Sequence, residues 1–196
     1  MLRALLPDGA TFAELAIAGP EPALFADEAA AVARAVAKRR REFAFGRACA
    51  RAALGADVAI GVGQGGAPIW PAGVTGSITH TDDYAAAAVV RAGHIGIDVE
   101  SLARIAEIEN LVERVALPSE RDVPVGVVFS AKESVYKCLF QSLGPTLGRF
   151  LEFADVELAF EHDRFRVLRA TGYANAGGVI GRFAISADRV ATVAWL

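Results

Sequence analysis

The chain has 196 residues, room for one large domain or two small halves, and either can bury a core. Hydrophobic residues make up 54% and charged residues 22%, which excludes a disordered chain. A net charge of -3 excludes a general nucleic-acid binder, whose electrostatic footprint is strongly basic. Met1 to Asp8 carries one Arg and a scrap of apolar sequence cut short by Pro7, so it does not read as a signal peptide. No apolar run approaches the ~20 residues that span a bilayer. Cys49 and Cys138 fall in different predicted helices and form neither a disulfide framework nor a zinc cluster, which fits a reducing cytoplasm.

In chain order, Glu28 to Leu54 is rich in Ala, Arg, Glu and Leu, contains no Pro and finishes at Gly55, so it predicts one long helix or two abutting ones with Asp27 as cap. Residues 61–76 hold six glycines and two prolines and read as loop. Ser77–His80, Ala85–Val90 and His94–Glu100 then predict an antiparallel sheet. A second cycle starts near Phe129, where Ser130 can cap a helix running to about Ser142 before Gly144-Pro145 stops it. Strands follow at Val156–Phe160, Phe165–Ala170, Val179–Ser186 and Val190–Trp195. The order helix then antiparallel strands occurs twice, which predicts an α+β protein of two similar halves, about 1–110 and 111–196, joined between Glu100 and Phe129.

Four segments carry candidate chemistry. In Ile95-Gly96-Ile97-Asp98-Val99-Glu100, alternation sends the aliphatic residues to one face and both carboxylates to the other. Adjacent like charges repel, so the pair is either a solvated strand end or a site for a hard cation such as magnesium. In Phe129-Ser130-Ala131-Lys132-Glu133-Ser134-Val135-Tyr136-Lys137, Glu133 and Lys137 share a helix face. Ser130 and Glu133 are spaced as a capping box; alternatively Glu133 adds a third carboxylate while Lys132 and Lys137 face a phosphate. The run Lys38-Arg39-Arg40-Arg41 with Arg47 is either a solvated helix face or a phosphate grip, and Ser77 with His80 can donate to an anion. Gly61-x-Gly63-x-x-Gly66 fits the dinucleotide fingerprint literally but leads into Ala67-Pro68 rather than a helix.

Taken together, Gly96-Ile97-Asp98-x-Glu100 and Phe129-Ser130-x-Lys132-Glu133-Ser134-x-x-Lys137, supported by the basic run ending at Arg47, Trp70-Pro71 and Gly76-Ser77-Ile78-Thr79-His80, resemble the 4'-phosphopantetheinyl transferase superfamily in its surfactin and enterobactin types. The resemblance runs from about Lys38 to Phe153. It implies two similar α/β halves about a pseudo-twofold axis, each a helix on a small antiparallel sheet, with coenzyme A between them. It also implies a cytoplasmic monomer that moves the phosphopantetheine arm of coenzyme A onto a serine of an apo carrier protein, releasing 3',5'-ADP. Asp98, Glu100 and Glu133 would hold Mg²⁺; Arg39 and Arg47 would meet the 3'-phosphate end; Ser77 and His80 would contact the nucleotide phosphates. Lys132 and Lys137 would reach the pyrophosphate, and Glu133 would act as general base. Many relatives of the enterobactin type place a Lys where this chain has Gly65, so one phosphate contact is absent or supplied elsewhere. The rival readings are a non-catalytic module that binds coenzyme A or a carrier domain, and a magnesium-dependent phosphodiester hydrolase.

Overall fold

A computed structural model describes residues 1–108, 110, 112–143, 151–173 and 176–196. Its contacts divide the chain into two units, one of Gly9–Ala92 and one of Met1–Asp8 with Gly93–Leu196. In the first unit β1 (Thr11–Ala16), α1 (Ala26–Ala31) and α2 (Ala37–Leu54) precede β2 (Gly61–Val62), β3 (Pro68–Ile69), β4 (Thr75–His80) and β5 (Tyr84–Val90). The main sheet is antiparallel in the order β1-β5-β4. Its central strand is alanine-rich and buried from Ala85 to Val90, so no polar alternation is possible there. Phe45, Cys49, Ala50 and Ala53 of α2 pack onto Ala85, Ala87 and Val89, small side chains that let the helix lie close to the sheet. The helix stops where Gly55 takes a left-handed φ of 67° and its N–H bonds the Ala52 carbonyl at 3.2 Å.

Of the two alternatives expected over Glu28–Leu54, one long helix or two abutting ones, the structure has two segments, separated by residues 32–36. Phe25, not Asp27, precedes α1, and the exposed Val36 has extended dihedrals before α2. Glu28 is fully buried and holds the corner together: its carboxylate accepts the Phe25 N–H at 3.0 Å, the Ile60 N–H at 2.8 Å and the Arg51 guanidinium at 2.9 Å.

The second unit contains β6 (Ile95–Ser101), α3 (Leu102–Ile108), α4 (Val112–Val115), α5 (Val125–Leu143), β7 (Val156–Glu161), β8 (Arg164–Ala170), β9 (Ile180–Ile185) and β10 (Arg189–Trp195). Its antiparallel sheet runs β6-β10-β9-β8-β7. The α5 helix lies across β6 and β10, and Ala131, Val135, Cys138 and Leu139 enter a core with Leu158, Phe165, Val167 and Ala194. A single-turn helix at Pro118–Glu120 repeats the device of the first unit. Glu120 is fully buried and accepts from Leu117 N at 2.8 Å, Leu158 N at 2.8 Å and Lys132 Nζ at 2.7 Å.

The α+β class read from the sequence is therefore found, and both units place their first strand beside their last and the last beside the next-to-last. The halves divide differently from the expectation, at Ala92/Gly93 rather than within 101–128. The reason is β6: it pairs with β10, Asp98 opposite Thr192, while the place expected for it beside β5 is filled by β1. The helix expected to begin at Ser130 begins at Val125, right after Pro124, so Ser130 and Glu133 lie inside α5 and form no capping box. Among the described residues no helix is long and apolar enough to cross a membrane.

The seating of α5 on β6 depends on Gly96. A Cβ there would overlap the Ser134 carbonyl oxygen and come to 2.7 Å from Cys138 N, both backbone atoms that no rotamer change can move. Gly96→Ala is expected to lower unfolding stability by about 3 kcal/mol or more, because the whole helix must lift. Urea unfolding followed by circular dichroism measures it, and a loss below about 0.5 kcal/mol would contradict the packing described.

Candidate functional site

Gly96, Asp98 and Glu100 alternate onto the face of β6 that meets α5, because period-two geometry commits Ile95, Ile97 and Val99 to the other side. Ser130 and Lys137 of α5 both reach Asp98. Its Oδ2 accepts the Ser130 hydroxyl at 2.8 Å and its Oδ1 accepts Lys137 Nζ at 2.7 Å. Lys137 also donates to the Ile97 carbonyl at 3.1 Å, so the ammonium is tied to the strand at two points. Asp98 is 4% exposed, and the helix shields it from water on the side where its charge is matched.

Glu100 and Glu133 share the field of this pair. Burial, then Asp98, pushes the Glu100 carboxyl up to about 7, with Glu133 adding to the rise and Lys137 and Arg104 opposing it. Burial likewise raises Glu133, which feels the opposing charge of Lys137 and the like charge of Asp98. Burial works against the Lys137 ammonium, yet Asp98, Glu133 and Glu100 together keep it above the ordinary lysine value. The structure thus brings Asp98, Glu100, Glu133 and Lys137 into one electrostatic cluster. Among the described residues it forms no closed set of three metal-binding side chains, and Asp98 is engaged by Lys137 and Ser130.

Lys132 does not join that cluster. It sits 140° around α5 from Lys137 at ~100° per residue, and it is 2% exposed. Its ammonium meets Glu120 at 2.7 Å, the Val115 carbonyl at 2.9 Å and the Phe153 carbonyl at 3.0 Å, three acceptors for three protons. In the structure the Lys132 ammonium, expected at the pyrophosphate, clasps three segments, and burial lowers its pKa while Glu120 holds the proton on. A cavity of about 560 Å³ opens beside it, lined by Val115, Phe129, Tyr136, Leu151 and Phe153 and bordered by Glu133. This cavity and Tyr136 went unseen in the sequence, where an aromatic at that helix position looks like ordinary core.

In the first unit, Arg39 and His80, 41 residues apart, are in direct contact, and Glu42 lies 3.6 Å from each. Arg47 is buried, stacks 4.1 Å over the Phe43 ring and donates to the Ile60 carbonyl at 2.8 Å. Burial above all brings it down to about 10, and the nearby charges of Arg39 and Arg51 add to the depression. Two guanidiniums that repel one another favour an anion between them. Ser77 is buried, and strand alternation sets it on the opposite face of β4 from His80, so the pair expected to act together is split by the pleat. Arg40 instead pairs with Glu21 at 3.3 Å on the surface. Gly65 has a left-handed φ of 65°, a conformation that would strain a lysine placed there.

Comparison with known proteins agrees with these motifs. The profile of the 4'-phosphopantetheinyl transferase N-terminal domain matches residues 27–90, and that of the 4'-phosphopantetheinyl transferase superfamily matches residues 94–176. The chain is 40% identical to the 4'-phosphopantetheinyl transferase Svp of Streptomyces mobaraensis, over 83% of this chain and 73% of that protein. It is 36% identical to the 4'-phosphopantetheinyl transferase PptT of Mycobacterium tuberculosis, over 83% of this chain and 77% of that one. Enterobactin synthase component D of Escherichia coli K12 is 34% identical over 51% of this chain and 54% of its own length. With both profiles falling on the two units that carry the basic and the acidic clusters, the chain belongs to the 4'-phosphopantetheinyl transferase superfamily.

Proposed function

We propose that this protein transfers the 4'-phosphopantetheine arm of coenzyme A to a serine of an apo carrier protein and releases 3',5'-ADP. The observation that carries the reading is the convergence of Glu133 and Lys137 from α5 with Asp98 and Glu100 from β6, two stretches distant in sequence. The reaction forms a bond from the serine oxygen to the phosphorus of the arm and breaks the bond from that phosphorus to the bridging oxygen, which leaves with 3',5'-ADP. The serine proton must go to a base. Glu133, raised by burial and bordering the cavity, is suited to take it and pass it to solvent. Lys137 sits where it can stabilise charge on the departing phosphate. The largely apolar cavity suits the pantetheine chain, and in the first unit Arg39, Arg47 and His80 are the candidates for the nucleotide end.

The donor set suits a hard divalent cation. Asp98 raises both Glu100 and Glu133, and Glu133 raises Glu100, which is the electrostatic demand that an oxygen-liganded cation relieves. Asp98, Glu100 and Glu133 would hold magnesium, whose role when bound is to neutralise the pyrophosphate. By the same resemblance we assign a cytoplasmic monomer, serving a siderophore or other secondary-metabolite pathway.

Incubation with Mg²⁺, coenzyme A and a set of apo carrier domains, followed by intact-mass measurement, tests the proposal. Transfer adds about 340 Da to a carrier. Release of 3',5'-ADP with no carrier gain would instead identify a phosphodiester hydrolase, and no turnover a binding module. Glu133→Gln is expected to keep the thermal unfolding profile of the parent and to lower kcat by about 10²–10⁴-fold; full activity would remove Glu133 as the base. The pH dependence has a definite sign. Since Glu100 titrates near 7 and a cation needs its ionised form, the Mg²⁺ concentration for half-maximal rate should fall as pH rises from about 6 to 8. Magnesium titrations across that range that superimpose would separate Glu100 from the cation.

A further inference from the structure

The face of β10 beneath α5 is made of Val190, Thr192 and Ala194, all buried. Val190 packs with Val127, and Ala194 belongs to the cluster of Ala131 and Val135, so Thr192 is a lone hydroxyl in an apolar row. Valine has the same shape and would suit a buried strand better. The helix above it has the same anomaly: Ser130 is fully buried between Val127 and Ala131, in a helix interior where serine gains nothing from capping.

The two hydroxyls explain each other. Ser130 Oγ donates to Asp98 Oδ2 at 2.8 Å, Thr192 Oγ1 donates to the Ser130 carbonyl at 2.8 Å, and the two hydroxyl oxygens are 3.0 Å apart. Only two protons serve these three contacts. The Asp98 carboxylate paired with Lys137 accepts, so the Ser130 proton is committed to it, and the single Thr192 proton is shared between the Ser130 carbonyl at 2.8 Å and Ser130 Oγ at 3.0 Å, both acceptors here. The polarity therefore runs one way, from Thr192 through Ser130 to Asp98. With Lys137 on Oδ1, each carboxylate oxygen of Asp98 has one fixed donor, and its plane is set from both the helix and the neighbouring strand.

We infer that Ser130 and Thr192 are positioning residues for the divalent cation: a hydroxyl relay from β10 through α5 that orients the Asp98 carboxylate. This rests on the reading of Asp98 as a cation ligand. Neither hydroxyl touches substrate; each acts through the carboxylate, as outer-sphere partners of ligands do.

The test uses Thr192→Val, Thr192→Ser and Ser130→Ala in the full chain, with Mn²⁺ binding read by electron paramagnetic resonance and thermal unfolding recorded alongside. Thr192→Val and Ser130→Ala are expected to weaken Mn²⁺ binding by about tenfold, and Thr192→Ser to stay within about twofold of the parent. Binding in Thr192→Val equal to that of the parent overturns the relay. So does Thr192→Ser binding as poorly as Thr192→Val, which would make the methyl group, not the hydroxyl, the cause. Should Thr192→Val fail to fold, Ser130→Ala decides, since alanine is favoured at an interior helix position. A parent protein that transfers the arm to a carrier and binds Mn²⁺ while both variants bind it normally sinks the relay alone. A parent that binds no Mn²⁺ at millimolar concentration sinks the cation reading of Asp98 and the relay with it.

Discussion

The contact between the α5 backbone and Gly96 is the constraint on which the acidic cluster depends. A side chain at position 96 would meet the backbone of α5 and push the helix away from the strand. By letting the Ser134 and Cys138 backbone come against β6, the glycine puts Ser130, Lys137 and Gln141 within hydrogen-bonding distance of the strand. Asp98 is then buried but matched, and Glu100 is drawn into the same low-dielectric environment without a donor of equal quality, which is why its proton affinity rises. The sequence spacing places the carboxylates; the missing methyl brings them to their partners.

Charge balance within the cluster follows. Three carboxylates face the Lys137 ammonium, with Arg104 also acting on Glu100, and the surplus negative charge has to be met by protons or by a cation. Glu100, with a value of about 7, is the group that changes hands near neutrality. The first unit has a basic counterpart: burial, then the charges of Arg39 and Arg51, lower Arg47, and Glu28 opposes the change.

Much of this was legible in the residues. The alternation in 95–100 gave the correct face for Asp98 and Glu100, and most strand limits fall within a residue or two of those read from composition. Sheet membership was not legible, because β6 and β1 are both short and nothing local tells a strand which partner it will pair with. Ser130 was misread as a cap since a serine three residues before a glutamate has that signature wherever it occurs; only the start of α5 at Val125 shows the hydroxyl to be free for Asp98. Thr192 carried no signal, being a β-branched residue in a strand. The Glu120 partner of Lys132 was not legible, because the motif names a residue type and not a direction, and Glu120 lies outside the motif. The helical end at Gly144-Pro145 falls outside the described residues.

The twin glutamate clasps bear on how loss-of-activity data should be read. Glu28 and Glu120 each gather two backbone amides and one basic side chain, and in the second unit that side chain belongs to the most recognisable motif of the chain. A lysine inside a signature motif can thus also hold up the architecture: removing it leaves a buried anion stranded, and the damage would surface as poor yield and early proteolysis before any turnover is measured.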